Sequence, residues 1–191
     1  MLVLKRLLWR SFCYIVDMHN LLTITLADFD PAAPKVAEKD YKLREAARAV
    51  LLDSNNEVCL MHVTKYGYHK LPGGGIDSGE SKEEALAREL MEEIGCTAII
   101  EQVVGQITEY RPFYGQQKQL SYCYIARQIG ELEEPQLEQD ELDEGMIQIK
   151  ARDIQHAINL LKHDKPENLE GKYIQKRDLE FLRHAQRLLV A

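Results

Sequence analysis

Residues 71–96 read LPGGGIDSGESKEEALARELMEEIGC, and the reading of this stretch decides the fold of the whole chain. Gly73, Gly74 and Gly75 form a run that neither a helix nor a central strand favours, and that lets backbone come close to a ligand. A helix follows at once. Ser81 is a good N-cap, Glu84 three residues later completes a capping box, and Gly95 stands where a glycine ends a helix after Ile94. At 100° per residue, Leu86, Leu90 and Ile94 fall along one stripe, while Glu89, Glu92 and Glu93 share an arc of roughly 100° beside it.

Carboxylates gathered in this way repel one another. Glu89 lies at i,i+3 from Glu92 and i,i+4 from Glu93, spacings at which like charges cost a few tenths of a kcal/mol per pair even when exposed. A bound cation reverses the sign. Hard oxygen donors suit Mg2+, with Mn2+ as the alternative, and Mg2+ is commonly shared between one or two carboxylates and substrate phosphates. Glu80, just ahead of the helix, offers a further carboxylate from the loop side, and the Gly73 backbone can approach a metal or phosphate unobstructed. Arg88 is spaced to orient a neighbouring glutamate through a bidentate contact. The competing reading is an ordinary solvated helix face. The glycines directly ahead of the helix argue against it.

The segment also fits one long fixed pattern, Gly-x5-Glu-x7-Arg-Glu-apolar-x-Glu-Glu-x-Gly-apolar, at Gly74, Glu80, Arg88, Glu89, Leu90, Glu92, Glu93, Gly95 and Cys96. In this it resembles the Nudix box, with Cys96 as a small hydrophobe at the final position. The resemblance implies an α/β fold, a Nudix-type α/β/α sandwich with a mixed β-sheet. It implies that Glu89, Glu92 and Glu93, with the Gly73 carbonyl and Glu80, hold divalent ions against a diphosphate. Glu89 then doubles as general base with Arg88 orienting it, and Glu93 completes the catalytic set. The implied activity is Mg2+-dependent hydrolysis of the phosphoanhydride of a nucleoside diphosphate derivative. An ADP-ribose-like substrate is slightly favoured because Pro112, sixteen positions beyond Cys96, resembles a proline of that branch. A pyrophosphohydrolase of modified nucleoside triphosphates is the alternative, and a nucleotide-sensing Nudix-like domain without turnover is the alternative from another class. A homodimer is a further expectation of the resemblance.

Outward from the box, Ala46–Leu52 and Val58–Val63 read as strands of a hairpin around Asp53-Ser54-Asn55-Asn56, followed by a polar, tyrosine-rich loop from Thr64 to Lys70. Ile99–Thr108 and Leu120–Ala126 read as two more strands, Ile147–Ile149 as a short one, and Asp153–Leu161 and Lys176–Leu189 as helices. Such interleaving indicates a mixed α/β sandwich rather than a bundle. The acidic stretch Glu131–Glu144 is the evident source of any carboxylate recruited from a distance, with Glu141 or Glu144 the candidates. Arg48 and Arg111 are the weaker candidates to meet substrate phosphate.

Residues 31–41, with two prolines and mixed charge, read as a connector, so the organisation is an N-terminal arm or strand plus connector over 1–42 and the hydrolase-like domain with its C-terminal helix over 43–191. The first seventeen residues mix Lys5, Arg6 and Arg10 with apolar side chains, but the run from Phe12 to Val16 is too short for a membrane span, so neither export nor a membrane partner is expected. The 191 residues carry 31 acidic against 24 basic side chains, a net charge of −7 that argues against a broad nucleic-acid footprint; a small nucleotide diphosphate as partner is what the resemblance to the Nudix family implies. Cys13, Cys59, Cys96 and Cys123 are scattered without metal-ligand spacing, as in a reduced cytoplasmic protein.

Overall fold

The computed structural model describes residues 18–34 and 40–190. The readings made for residues 1–17 and for the middle of the connector lie outside these. The elements are β1 (Asn20–Ile24), β2 (Lys42–Leu52), β3 (Val58–Val63), β4 (Tyr68–Lys70), β5 (Gly73–Gly75), α1 (Lys82–Ile94), β6 (Thr97–Arg111), β7 (Gln117–Ile129), α2 (Gln139–Asp143), β8 (Met146–Ala151), α3 (Ile154–His163) and α4 (Leu169–Val190).

The organising strand is β2, whose run from Ala46 to Leu52 is buried throughout. Because side chains alternate across a strand, such a run needs cover on both faces. Ala47, Ala49 and Leu51 pack in one core with Leu86, Leu90 and Ile94 of α1, whereas Val50 and Leu52 pack in another with Leu161 of α3 and Tyr173, Phe181 and Leu182 of α4. The result is the expected sandwich of a sheet between α1 and the α3–α4 pair. β7 runs parallel to β2 along its length and antiparallel to β6, and β1 adds to β6 in parallel, so the sheet is mixed. Among the described residues no helix is long and apolar enough to cross a membrane.

β2 and β3 pair only next to their turn, at Leu51 with Cys59 and Leu52 with Val58, and then splay. The segment from Tyr68 to Gly75 fills the fork: β4 pairs with β3, and β5 with Ala46–Arg48 of β2. Two expectations are corrected here. The loop read from Thr64 to Lys70 ends in a strand, and the three glycines form a strand rather than avoiding one. The reason is close approach: Gly73 sits at φ +124°, and a Cβ there would collide with the Ala47 carbonyl. The α1 boundaries match the reading, with Ser81 Oγ accepting from the Glu84 N–H, the Glu84 carboxylate accepting from the Ser81 N–H, and Gly95 in the left-handed conformation.

Helix α4 begins seven residues earlier than its periodicity suggests, since Gly171, Tyr173 and Ile174 are also buried. It carries an unforeseen polar layer beneath the fork. Arg177 and Asp178, both 0% exposed, pair through Arg177 Nε and Asp178 Oδ1 at 2.7 Å, and Asp178 Oδ2 accepts the Leu71 N–H at 2.9 Å. Glu109, also fully buried, accepts from Arg111 at 2.7 Å, from the Gln119 amide and the Ser121 hydroxyl at 3.0 Å each, and lies 3.5 Å from Arg177. Removing one partner from a buried ion pair leaves the other charge uncompensated, which costs about 3–5 kcal/mol. Asp178→Ala should therefore lower the unfolding free energy read from urea titration by that order, and an unchanged free energy would remove this layer from the list of what holds the fork.

Candidate active site

Helix α1 lies against β5, and Glu89 and Glu93 of its C-terminal half meet the glycine strand. Glu93, 1% exposed, accepts the Gly73 N–H through Oε2 at 2.6 Å, while its Oε1 lies 2.8 Å from the Lys70 ammonium. The Glu93 carbonyl accepts from the Gln148 side chain of β8 at 2.7 Å, so this turn of α1 is tied to the sheet at two points. Glu89 covers Gly74 so closely that any Cβ there would enter its carboxylate, which explains a second glycine without appeal to a ligand.

Arg88 is the hub of the loop side. Its Nε and Nη2 hold the two Glu80 oxygens at 3.1 Å each, Nη1 donates to Glu89 at 2.9 Å and Glu92 at 3.0 Å, and Nη2 donates to the Gly75 carbonyl at 2.9 Å. One guanidinium thereby fixes the loop that leads into α1 and two of the helix carboxylates, a use for which its planar fork is suited. The electrostatics separate these acids. Arg88 holds the Glu80 carboxyl below the usual range, and Glu80 in return pushes the Arg88 guanidinium further up. Burial, and then the charge of Glu93, push the Glu89 carboxyl up against the opposing pull of Arg88.

Of the candidates in the acidic stretch, Glu141 reaches the cluster. It lies on the short α2, whose capping box it closes by accepting the Glu138 N–H at 3.0 Å, and burial together with the adjacent Glu93 raises its carboxyl to about 7. Glu144 is pushed up by burial and by the neighbouring Glu170, and it too feels Lys70. Arg48 and Arg111, read as phosphate contacts, are only 6% and 4% exposed and are engaged by the protein. Arg48 donates to the Gly73 carbonyl from behind, and burial and the nearby Arg177 pull its guanidinium down to about 10. Arg111 belongs to the Glu109 layer.

The sequence reading missed Lys70, Arg177 and Asp178. Asp178 could have been found, because it interrupts the apolar stripe Ile174, Phe181, Leu182, Ala185 at the i+4 position, where a charge needs a buried partner. Lys70 left a fainter signal: strand alternation puts it on the same face as Tyr68, which is in the core.

The donor chemistry fits a hard divalent cation, since carboxylates and a backbone carbonyl are the only groups offered. Among the described residues no three acidic, histidine or cysteine side chains converge on one point. Arg88 and Lys70 instead share the carboxylates, so an ion would be accommodated by exchange with these cations. Next to Glu80, an open groove of about 650 Å³ is lined by Lys42, Arg44, Glu45, Tyr114 and Gln117 among others.

The chain is similar to several known proteins. An RNA pyrophosphohydrolase of Sulfurovum sp. is 49% identical over 41 residues, 22% of this chain and 25% of that protein. An 8-oxo-(d)GTP phosphatase of Mycolicibacterium smegmatis is 40% identical over 52 residues, 27% of this chain and 16% of that protein. The matches thus span a quarter or less of these two relatives. Among solved structures, the ORF135 protein of E. coli superposes with a TM-score of 0.55 at 16% identity, covering 82% of this chain and 95% of the other, a likeness of fold alone. The family model described as the NUDIX domain matches residues 42–167, most of the chain, and the chain therefore belongs to the Nudix family.

Proposed function

We propose that this chain is a Mg2+-dependent hydrolase that cleaves a phosphoanhydride bond in a nucleotide-derived substrate. The observation that carries the proposal is the junction of α1 and β5, where Glu89, Glu92 and Glu93 stand beside the glycine strand and Arg88 ties three carboxylates to it. Glu89, Glu92, Glu93 and the Gly73 carbonyl would hold the ion, with Glu80 in support; Mn2+ would fit the same donors. Bound there, a divalent ion would supply positive charge to the phosphate oxygens and lower the pKa of the attacking water. Glu89 takes the proton of that water. Its partly buried position and its contact with Arg88 favour that role, since burial raises its proton affinity while the guanidinium fixes its orientation. Arg48 does not touch substrate in this scheme but holds the Gly73 carbonyl in place. Glu141 is the distal carboxylate that faces Glu93 from α2.

The groove beside Glu80 is the natural seat for the rest of the substrate, with Lys42 and Arg44 as its cations and Tyr114 as an aromatic surface. For an ADP-ribose-like substrate the support is Pro112, which the structure also accounts for as the first residue of a one-turn helix ended by Gly115 in the left-handed conformation. The activities for which the two relatives are named, RNA pyrophosphohydrolase and 8-oxo-(d)GTP phosphatase, favour the second reading, a pyrophosphohydrolase of triphosphorylated nucleotides. Purified protein should be incubated with Mg2+ against ADP-ribose, nucleoside triphosphates and a 5′-triphosphorylated oligonucleotide, with products separated. AMP from ADP-ribose would support the first reading and pyrophosphate or phosphate the second, while no turnover of any of these would leave a binding domain.

Glu92 makes the cleaner test of the metal-binding role, because its side chain is 35% exposed whereas Glu93 is embedded between Gly73 and Lys70. Glu92→Gln should keep the melting temperature and lower kcat at least about a hundredfold, on the scale of losing one group that acts at the transition state. Wild-type turnover in that variant would dismiss Glu92 as a ligand. Glu141 gives a pH signature. An acid whose folded pKa is raised, here to about 7 from an ordinary carboxylate value, holds its proton longer in the folded than in the unfolded chain, so stability declines as pH climbs through that window. In chelator, the melting temperature of wild type relative to Glu141→Gln should fall between about pH 4 and 7 and level off above. A constant difference would mean that Glu141 is not held against Glu93.

A further inference from the structure

Lys70 has no place in the scheme above, yet its position is unusual. It sits on β4, paired with Met61 of β3, on the sheet face that packs on α1, and it is only 14% exposed. Its ammonium lies 2.8 Å from Glu93 Oε1, the oxygen that the Gly73 N–H leaves free. Glu141 and Glu144 of the α2 segment are within electrostatic reach of the same ammonium. A carboxylate as buried as Glu93 needs a compensating charge, and here the chain itself provides one.

We propose that Lys70 is a built-in counter-cation that competes with a divalent ion for Glu93 and so sets how tightly the acidic cluster binds metal. This rests on the metal-binding role proposed above for Glu93. A doubly charged ion on Glu93 Oε1 and an ammonium at hydrogen-bond distance from the same oxygen repel strongly in a site that is largely closed to water. Metal entry therefore requires the ammonium to swing away, and the lost ion pair is subtracted from the binding free energy. The benefit is that Glu93 stays in place without metal, since its other oxygen remains fixed to the Gly73 N–H. Lys70 is thus a positioning residue for the cluster, and metal affinity is exchanged for a site preformed before any ion arrives.

The test is calorimetric titration of the chelator-treated full chain with Mn2+, for wild type, Lys70→Gln and Lys70→Arg. Lys70→Gln should bind Mn2+ at least about tenfold more tightly, as expected when a neighbouring positive charge is removed from a poorly screened site. Lys70→Arg, which keeps the cation, should stay within about threefold of wild type. The chelator-treated Lys70→Gln protein should melt earlier than wild type, and Mn2+ should restore it. Equal or weaker Mn2+ binding by Lys70→Gln overturns the inference and leaves Lys70 as a substrate contact or a structural ion pair. Should Lys70→Gln unfold in chelator, recovery of its helical signal by Mn2+ supports the inference and failure to recover overturns it. Absence of Mn2+ binding in wild type would instead overturn the metal-binding role of Glu93, a result distinct from wild-type binding that Lys70→Gln merely reproduces.

Discussion

The Glu93 carboxylate, closed off from solvent between the Gly73 N–H and the Lys70 ammonium, is the contact on which the remainder of the site depends. It joins α1 to the strand segment that fills the fork between β2 and β3. Without it, α1 would still be driven against the sheet by Leu86, Leu90 and Ile94, but apolar packing does not fix rotation about the helix axis to within a bond length. A charged hydrogen bond does. Once Glu93 is fixed, Glu89 comes to lie over Gly74 and Arg88 reaches the Gly75 carbonyl, so the carboxylates are set in place by backbone as much as by one another.

The same segment is held from the opposite face by a different kind of contact. Arg48 takes the Gly73 carbonyl and Asp178 takes the Leu71 N–H, and both belong to the layer of buried charge under α4. Buried ion pairs are a poor source of net stability, because desolvation offsets much of the attraction. They are directional, however, and the hydrogen bonds of Arg177, Asp178 and Glu109 disfavour alternative packings of the helix on the sheet. The two faces of the sandwich therefore perform unlike tasks on one short stretch of backbone: α1 brings charge to it, and α4 keeps it from shifting.

What could be read from the chain beforehand divides along the line between local and non-local physics. The limits of α1, its capping box and its glycine stop follow from spacing within a few turns, and they stand in the structure as read. β6 and β7 were legible in their cores but extend further, to Arg111 and from Gln117, because their ends are paired with partners far along the chain. The strand character of Gly73–Gly75 was invisible, since glycine opposes it locally and only the approach to the Ala47 carbonyl requires it. Lys70, Arg177 and Asp178 were missed for the same reason: each owes its role to a residue that sequence distance hides, as Glu93 is 23 positions from Lys70 and Leu71 is 107 from Asp178.

The fork in the sheet also bears on how such a protein can diversify. Because β4 and β5 are rungs of the sheet, the backbone facing the acidic cluster cannot be lengthened or shortened without unpairing β2 or β3. One wall of the groove beside Glu80 is built otherwise, from the turn around Tyr114 between β6 and β7, where additions disturb little pairing. Under the function proposed above, mutation at that turn can therefore explore new substrates while the acidic cluster stays unaltered, so that the two properties can be inherited almost independently.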